Sequence, residues 1–167
     1  MKILGFSKFS KDKKLNIRIA FFVLLSVLIV MYIFSNSLQS ARASSVKSSN
    51  VAKVIKSIVD PKDKIDKDVF HKAIRKVAHA TEFMALGISL GGIFYNIYLK
   101  NREKYISMPV LLGMSAGLCD EFIQSFQKKR SAEVGDVLID FSGVIIGFLI
   151  VILVVFLINI IKNKGEN

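Results

Sequence analysis

Three observations predict an all-α polytopic membrane protein, a four-transmembrane-helix bundle with an amphipathic helical segment between spans one and two. The chain carries four long apolar runs, its basic residues lie between those runs, and Cys119 is its single cysteine. Of 167 residues 52% are hydrophobic, and 24 Lys+Arg stand against 13 Asp+Glu, giving a net charge of +11 at a mean hydropathy of +0.48. A chain this apolar is not a disordered basic tail, and one cysteine builds no disulfide scaffold. A pI near 9.8 usually suggests nucleic acid. Here the basic residues flank apolar runs, so no nucleic-acid partner is expected.

The elements follow in order. Residues 1–18 form a basic N-terminus, and a single domain spans 19–161, followed by a tail at 162–167. Ile19–Ala41 holds 23 residues without a charge, which predicts span one at about 19–38. The Lys-rich start and the Ala41-Arg42-Ala43 triplet also fit a signal peptide. The apolar stretch is long for one and the triplet lies well past its end, so an uncleaved span is expected.

In Val77–Leu99 the only ionisable side chains are His79, Glu82, Tyr95 and Tyr98, predicting span two at 77–99. Tyr105–Cys119 is uncharged, and Asp120 and Glu121 then interrupt a run that reaches Phe126, predicting span three at about 106–126. Pro109 falls in its first turn, where a missing N–H is tolerated. The 21 uncharged residues of Phe141–Ile161 predict span four at about 137–161. Between spans one and two, Val51, Val54, Ile55, Ile58 and Val59 repeat at helical spacing, and Asp60-Pro61 ends that helix. Ile65, Val69, Ala73 and Val77 suggest a second helix running into span two. The segment 42–76 is therefore expected to lie outside the membrane, either on anionic headgroups or capping the bundle.

Orientation rests on the distribution of Lys and Arg. With the N-terminus inside, the inner parts hold six before span one, three in the short link and two after span four. The outer parts hold ten in the long segment and three in the second link. The count alone does not decide. The first span usually dominates, and Lys8, Lys11, Lys13, Lys14 and Arg18 crowd it, whereas four Asp offset the long segment. Both termini are expected on the cytoplasmic side.

The minority charges are more informative. Ser35 and Ser37 end span one, and Arg75, His79 and Glu82 begin span two. Asp120, Glu121 and Gln124 end span three, and Asp136 and Asp140 begin span four. In an up-and-down chain these four ends share one membrane face. Arg75, His79, Glu82 and Leu86 step by four, three and four, as do Gly113, Gly117, Asp120, Gln124 and Asp136, Asp140, Gly143, Gly147. Gly113-x-x-x-Gly117 and Gly143-x-x-x-Gly147 permit close helix approach, so the glycine and polar faces coincide inside the bundle.

The series Phe34-Ser35-Asn36-Ser37, Arg75-Lys76-x-x-His79-x-x-Glu82-Phe83-x-x-x-Gly87, Asp120-Glu121-x-x-Gln124-x-Phe126 with Arg130, and Asp136-Val137-Leu138-Ile139-Asp140-x-x-Gly143 resembles the VanZ-like family. Order and spacing agree from residue 34 onward. Ile123 stands where the family often has His, and Lys128-Lys129-Arg130 where it often has Pro-Gly-Arg. The resemblance implies a small protein of the bacterial cytoplasmic membrane, associated with low-level resistance to the glycopeptide teicoplanin.

Three readings of the cluster stand open. In the first, Ser35, Ser37, Arg75, His79, Glu82, Asp120, Glu121, Gln124, Arg130, Asp136 and Asp140 bind a lipid headgroup, a cell-wall precursor or a glycopeptide at the outer face. The arginines would take phosphate or carboxylate, and Asp136 and Asp140 sugar or amine groups. In the second, a membrane-embedded enzyme uses His79 as base with Glu82 or Asp120 as its partner, or a divalent ion held by the carboxylates. In the third, the charges form an ion-pair network that sets helix register. Binding is favoured over catalysis, and no metal is expected.

Overall fold

The computed structural model describes residues 2–38, 55–56, 65–126 and 134–165. Four helices make up the fold: α1 (Lys2–Ser37), α2 (Lys67–Asn101), α3 (Ser107–Ser125) and α4 (Val134–Gly165), and no strand occurs among the described residues. Three of them are long and apolar enough to cross a membrane, through Asp12–Ser37, Val69–Asn101 and Val134–Lys164.

The expected third span is present as α3, within a residue of its predicted bounds, but it is not apolar enough to count with the others. Its 19 residues cover about 28 Å, close to the ~30 Å of a hydrocarbon core, and Asp120, Glu121 and Gln124 occupy its last two turns. Two helices are longer than expected. The basic N-terminus is helical from Lys2, continuous with span one. Residues 67–76, expected in the extramembrane segment, are the first turns of α2. The second helix of that segment runs into span two, as its spacing suggested, and its apolar stripe points outward, with Val69 60% and Val77 61% exposed. The first amphipathic helix, at 51–59, lies outside the described residues apart from Ile55 and Lys56, which are helical. The Lys56 ammonium donates to the Ile65 carbonyl (2.8 Å) and sits over the Phe70 ring.

Helix α2 touches all three of its neighbours. Asn36 meets Glu82, Ser26 meets Ser89, and Asn16 meets Lys100, so α1 and α2 are antiparallel. The α2–α4 seam is parallel and depends on missing side chains. A Cβ on Gly143 would strike the Ala80 carbonyl, and one on Gly147 the Met84 carbonyl. Gly113 of α3 accommodates Val144 in the same way, whereas Gly117 is looser, with Asp140 Cβ at 3.6 Å from the position its own Cβ would take. The core assembles around α2: Phe83, Leu86, Leu90 and Ile93 pack with Ile33 of α1 and Val144 of α4. The outer faces of α1 and α4 expose Leu24, Leu28, Met31, Leu149, Leu153 and Phe156, as lipid-facing surfaces do.

Midway, the buried Ser26 and Ser89 hydroxyls stand 2.8 Å apart, and Ser89 also donates to the Phe22 carbonyl (3.0 Å). A hydroxyl has one proton, so Ser26 is the donor between the two serines. At the C-terminus of α2, Arg102 adopts φ 65° and its N–H returns to the Tyr98 carbonyl (2.8 Å), closing the helix as a left-handed cap. Glycine would take this conformation more readily. Here the Arg102 guanidinium lies over the Tyr98 ring, 5.8 Å from its centroid. The tight turn that follows sends α3 back along α2.

Candidate functional site

Because the helices alternate in direction, the end of α1, the start of α2, the end of α3 and the start of α4 meet at one end of the bundle. Asp120 is the centre of the meeting point and is fully buried. Ser37, in the last turn of α1, donates to its Oδ1 at 2.5 Å. Gln124, one turn further along α3, donates to its Oδ2 at 2.6 Å and reaches Ser37 Oγ at 3.4 Å. A carboxylate without water is tolerated when both oxygens accept hydrogen bonds, and such charge-assisted bonds are the strong ones.

From α2, the His79 ring nitrogen Nδ1 stands 4.0 Å from Asp120 Oδ2 and 3.8 Å from Glu82 Oε2. Asn36 of α1 donates to Glu82 Oε1 at 3.0 Å. Lys76 pairs with Asp136 across the α2–α4 seam at 2.5 Å. Asp140, one turn deeper on α4, is 2% exposed, and Glu121 is buried beside Asp120 at 6%. Arg75, Lys76, His79, Gln124, Asp136, Ile139 and Asp140 line a small cavity here of 10 Å³, room for one water-sized group.

Most of the expected site is thus brought together: Ser37, Arg75, His79, Glu82, Asp120, Glu121, Gln124, Asp136 and Asp140. Ser35 is not, because its side chain is exposed on the far side of α1. Arg130 lies outside the described residues. Asn36 and Lys76 join the site although neither was expected as a site residue. A signal for the correct face existed in α1. Ser26, Val30, Ile33 and Ser37 step by four, three and four, a stripe that excludes Ser35 and includes the buried Ser26. The α2 stripe likewise continues from Leu86 through Ser89 and Ile93 to Asn96, and all four are buried.

The arrangement can bind a cation or a hydrogen-bonding group among its acids, and an anion at Arg75 and Lys76. Ser37 gives its proton to Asp120 rather than to an imidazole, and Cys119 is exposed. A larger, open groove of 450 Å³ lies toward the opposite end, lined by Gly91, Phe94, Tyr98, Tyr105, Phe148 and Ile152 among others. Its lining is mostly apolar and includes Lys104 but no acid.

Comparison with curated proteins and with solved structures finds no match to this chain. The VanZ/LLP1 family, in contrast, matches residues 22–157, a stretch that contains every described residue of the cluster. With three helices able to cross a bilayer and a family match over most of its length, the chain is a membrane protein and belongs to the VanZ/LLP1 family.

Proposed function

We propose that this protein crosses the bacterial cytoplasmic membrane four times, with both termini inside, and uses the polar end of its bundle at the outer face to hold the headgroup of a lipid or of a lipid-linked cell-wall precursor. The observation that carries this reading is the placement of Arg75 and Lys76 beside a cavity whose inner wall is acidic. Phosphate or carboxylate of the headgroup meets Arg75 and Lys76 at the rim, and its amine or hydroxyl groups turn toward Asp136. The cavity admits only one water-sized group, so the headgroup body stays at the rim, level with the membrane surface.

The α3 crossing is supported by its length and by its antiparallel course between α2 and α4, with its polar last turns inside the bundle rather than toward lipid. Holding a lipid or precursor in this way would change what a glycopeptide can reach at the cell surface, which links the site to low-level teicoplanin tolerance.

The test is mass spectrometry of lipids that co-purify with the full-length protein, compared with the Arg75→Gln, Lys76→Gln double variant. Enrichment of one phosphate-bearing class in the wild type, lost in the variant, is expected. The same lipid profile in both would reject the reading. Orientation is checked by thiol labelling of single cysteines placed at 42–64 in a Cys119→Ser background, where reaction from outside the cell is expected.

A further inference from the structure

Hydrogen bonding within the cluster stops short at one carboxylate. Asp120 accepts from Ser37 and Gln124, Asp136 is paired with Lys76, and Glu82 accepts from Asn36. Asp140 is more buried than Asp136 or Glu82, at 2% exposure, and it lines the small cavity. Among the described residues no hydrogen bond or ion pair reaches it. A carboxylate in such a place needs a cation, a proton or a donor.

Two further groups come close to Asp140: His79, which also lines the cavity, and Asp120 just behind it. One ligand atom each from His79, Asp120 and Asp140 lies within 4.8 Å of the other two. Donors bound to one divalent ion at roughly 2.0–2.6 Å stand at most about 4–5 Å apart, so small side-chain movements close the set. The cavity volume of 10 Å³ suits one ion. The bonds from Ser37 and Gln124 leave each Asp120 oxygen a second lone pair and fix the carboxylate plane, the usual task of groups behind a metal ligand. The cluster also holds more acid than base. Glu82, Asp120, Glu121, Asp136 and Asp140 gather against Arg75 and Lys76, so a dication lowers the mutual repulsion.

We propose that His79, Asp120 and Asp140 bind one hard divalent cation of the Mn²⁺/Mg²⁺ class, although the sequence led to no expectation of a metal. One imidazole with two carboxylates matches such an ion better than the closed nitrogen and sulfur sets of structural zinc. All three ligands come from different helices, so the ion would tie α2, α3 and α4 together at the polar end. The site consists of protein groups alone and does not depend on headgroup binding.

The experiment is a titration with Mn²⁺ of the full-length protein in detergent, stripped with EDTA and dialysed, with unbound Mn²⁺ followed by electron paramagnetic resonance. One saturable Mn²⁺ per chain is expected, displaced by excess Mg²⁺. Asp140→Asn and His79→Gln should each weaken binding at least about tenfold, and Ser35→Ala should leave it unchanged. Asp140→Asn keeps the test sound if His79→Gln does not fold, since it replaces an isosteric group that makes no hydrogen bond. Absence of saturable Mn²⁺ binding by the wild type overturns the proposal. So does an Asp140→Asn protein that binds Mn²⁺ as tightly as the wild type. Mn²⁺ binding without lipid enrichment would leave this site standing and remove only the headgroup reading.

Discussion

The two ends of the bundle are built on different principles. At the end where α1 finishes, Ser37, Asp120, Gln124 and Asp140 are buried, and the bonds among the first three hold only in one helix register. At the other end, Phe94 and Tyr105 meet edge-on at 6.2 Å beside an open apolar groove, and the polar contacts, Lys100 to Asn16 and Tyr105 to Glu103, are on the surface. Lipid is as apolar as leucine, so burying apolar surface between spans adds little drive toward one arrangement. Groups that lipid cannot satisfy do discriminate, because a slipped register leaves them without partners. The polar end therefore specifies the fold and gathers the buried acids, while the apolar end mainly fills shape.

Several substitutions would break or sharpen this contrast. The largest effect is expected at the seam beneath the polar end. Gly143→Leu drives a side chain into the Ala80 backbone, and overpacking of this kind costs about 3 kcal/mol or more. Thermal unfolding in detergent should show a collapse in stability, and an unchanged melting temperature would remove the close α2–α4 contact from the account.

Asp120→Ala comes next. It leaves the Ser37 hydroxyl and the Gln124 amide buried without their acceptor, for a loss of about 2–3 kcal/mol in the same assay. Ser89→Ala deprives Ser26 of its acceptor in mid-bundle and should cost about 1 kcal/mol.

Neighbouring positions on α1 provide a finer comparison. Asn36→Ala removes the donor to Glu82 and is expected to lower stability by about 1 kcal/mol, whereas Ser35→Ala should do nothing measurable. Equal effects at the two positions would reject the assigned face of α1.

The smallest effect belongs to the apolar end. Tyr105→Phe should leave the melting temperature where it is. The Tyr105 hydroxyl donates to the Glu103 carboxylate, which also repels a phenolate, so its pKa is raised above the ordinary 10.0. The phenol consequently ionises later than a free tyrosine as pH rises. Glu103→Gln should return its absorbance titration to the usual range.

Much of this was legible from residue spacing. Hydropathy located α1, α2 and α4, and the interrupted run 106–126 located α3 almost to the residue. The parity of span ends foretold that the acids would meet, because alternating helices leave no other outcome. Spacing on α1 was harder to use. Ser35 and Ser37 sit close in sequence but about 200° apart around a helix, so only one can face the interior. Hydropathy alone did not mark the start of α2 at Lys67, but the helical spacing of Ile65, Val69, Ala73 and Val77 did point to a helix running into span two.

By itself the sequence determined that this is an all-helical membrane protein and which ends of its spans carry charge, since both follow from one-dimensional patterns of apolar length and helical step. Only the tertiary structure decided which polar groups touch. Ser37 and Gln124 on Asp120, Lys76 on Asp136, and Asp140 facing His79 across the cavity depend on how four helices are rotated about their axes. Those rotations are set by glycine contacts and by the need to satisfy buried donors and acceptors, and they act between residues far apart in the chain.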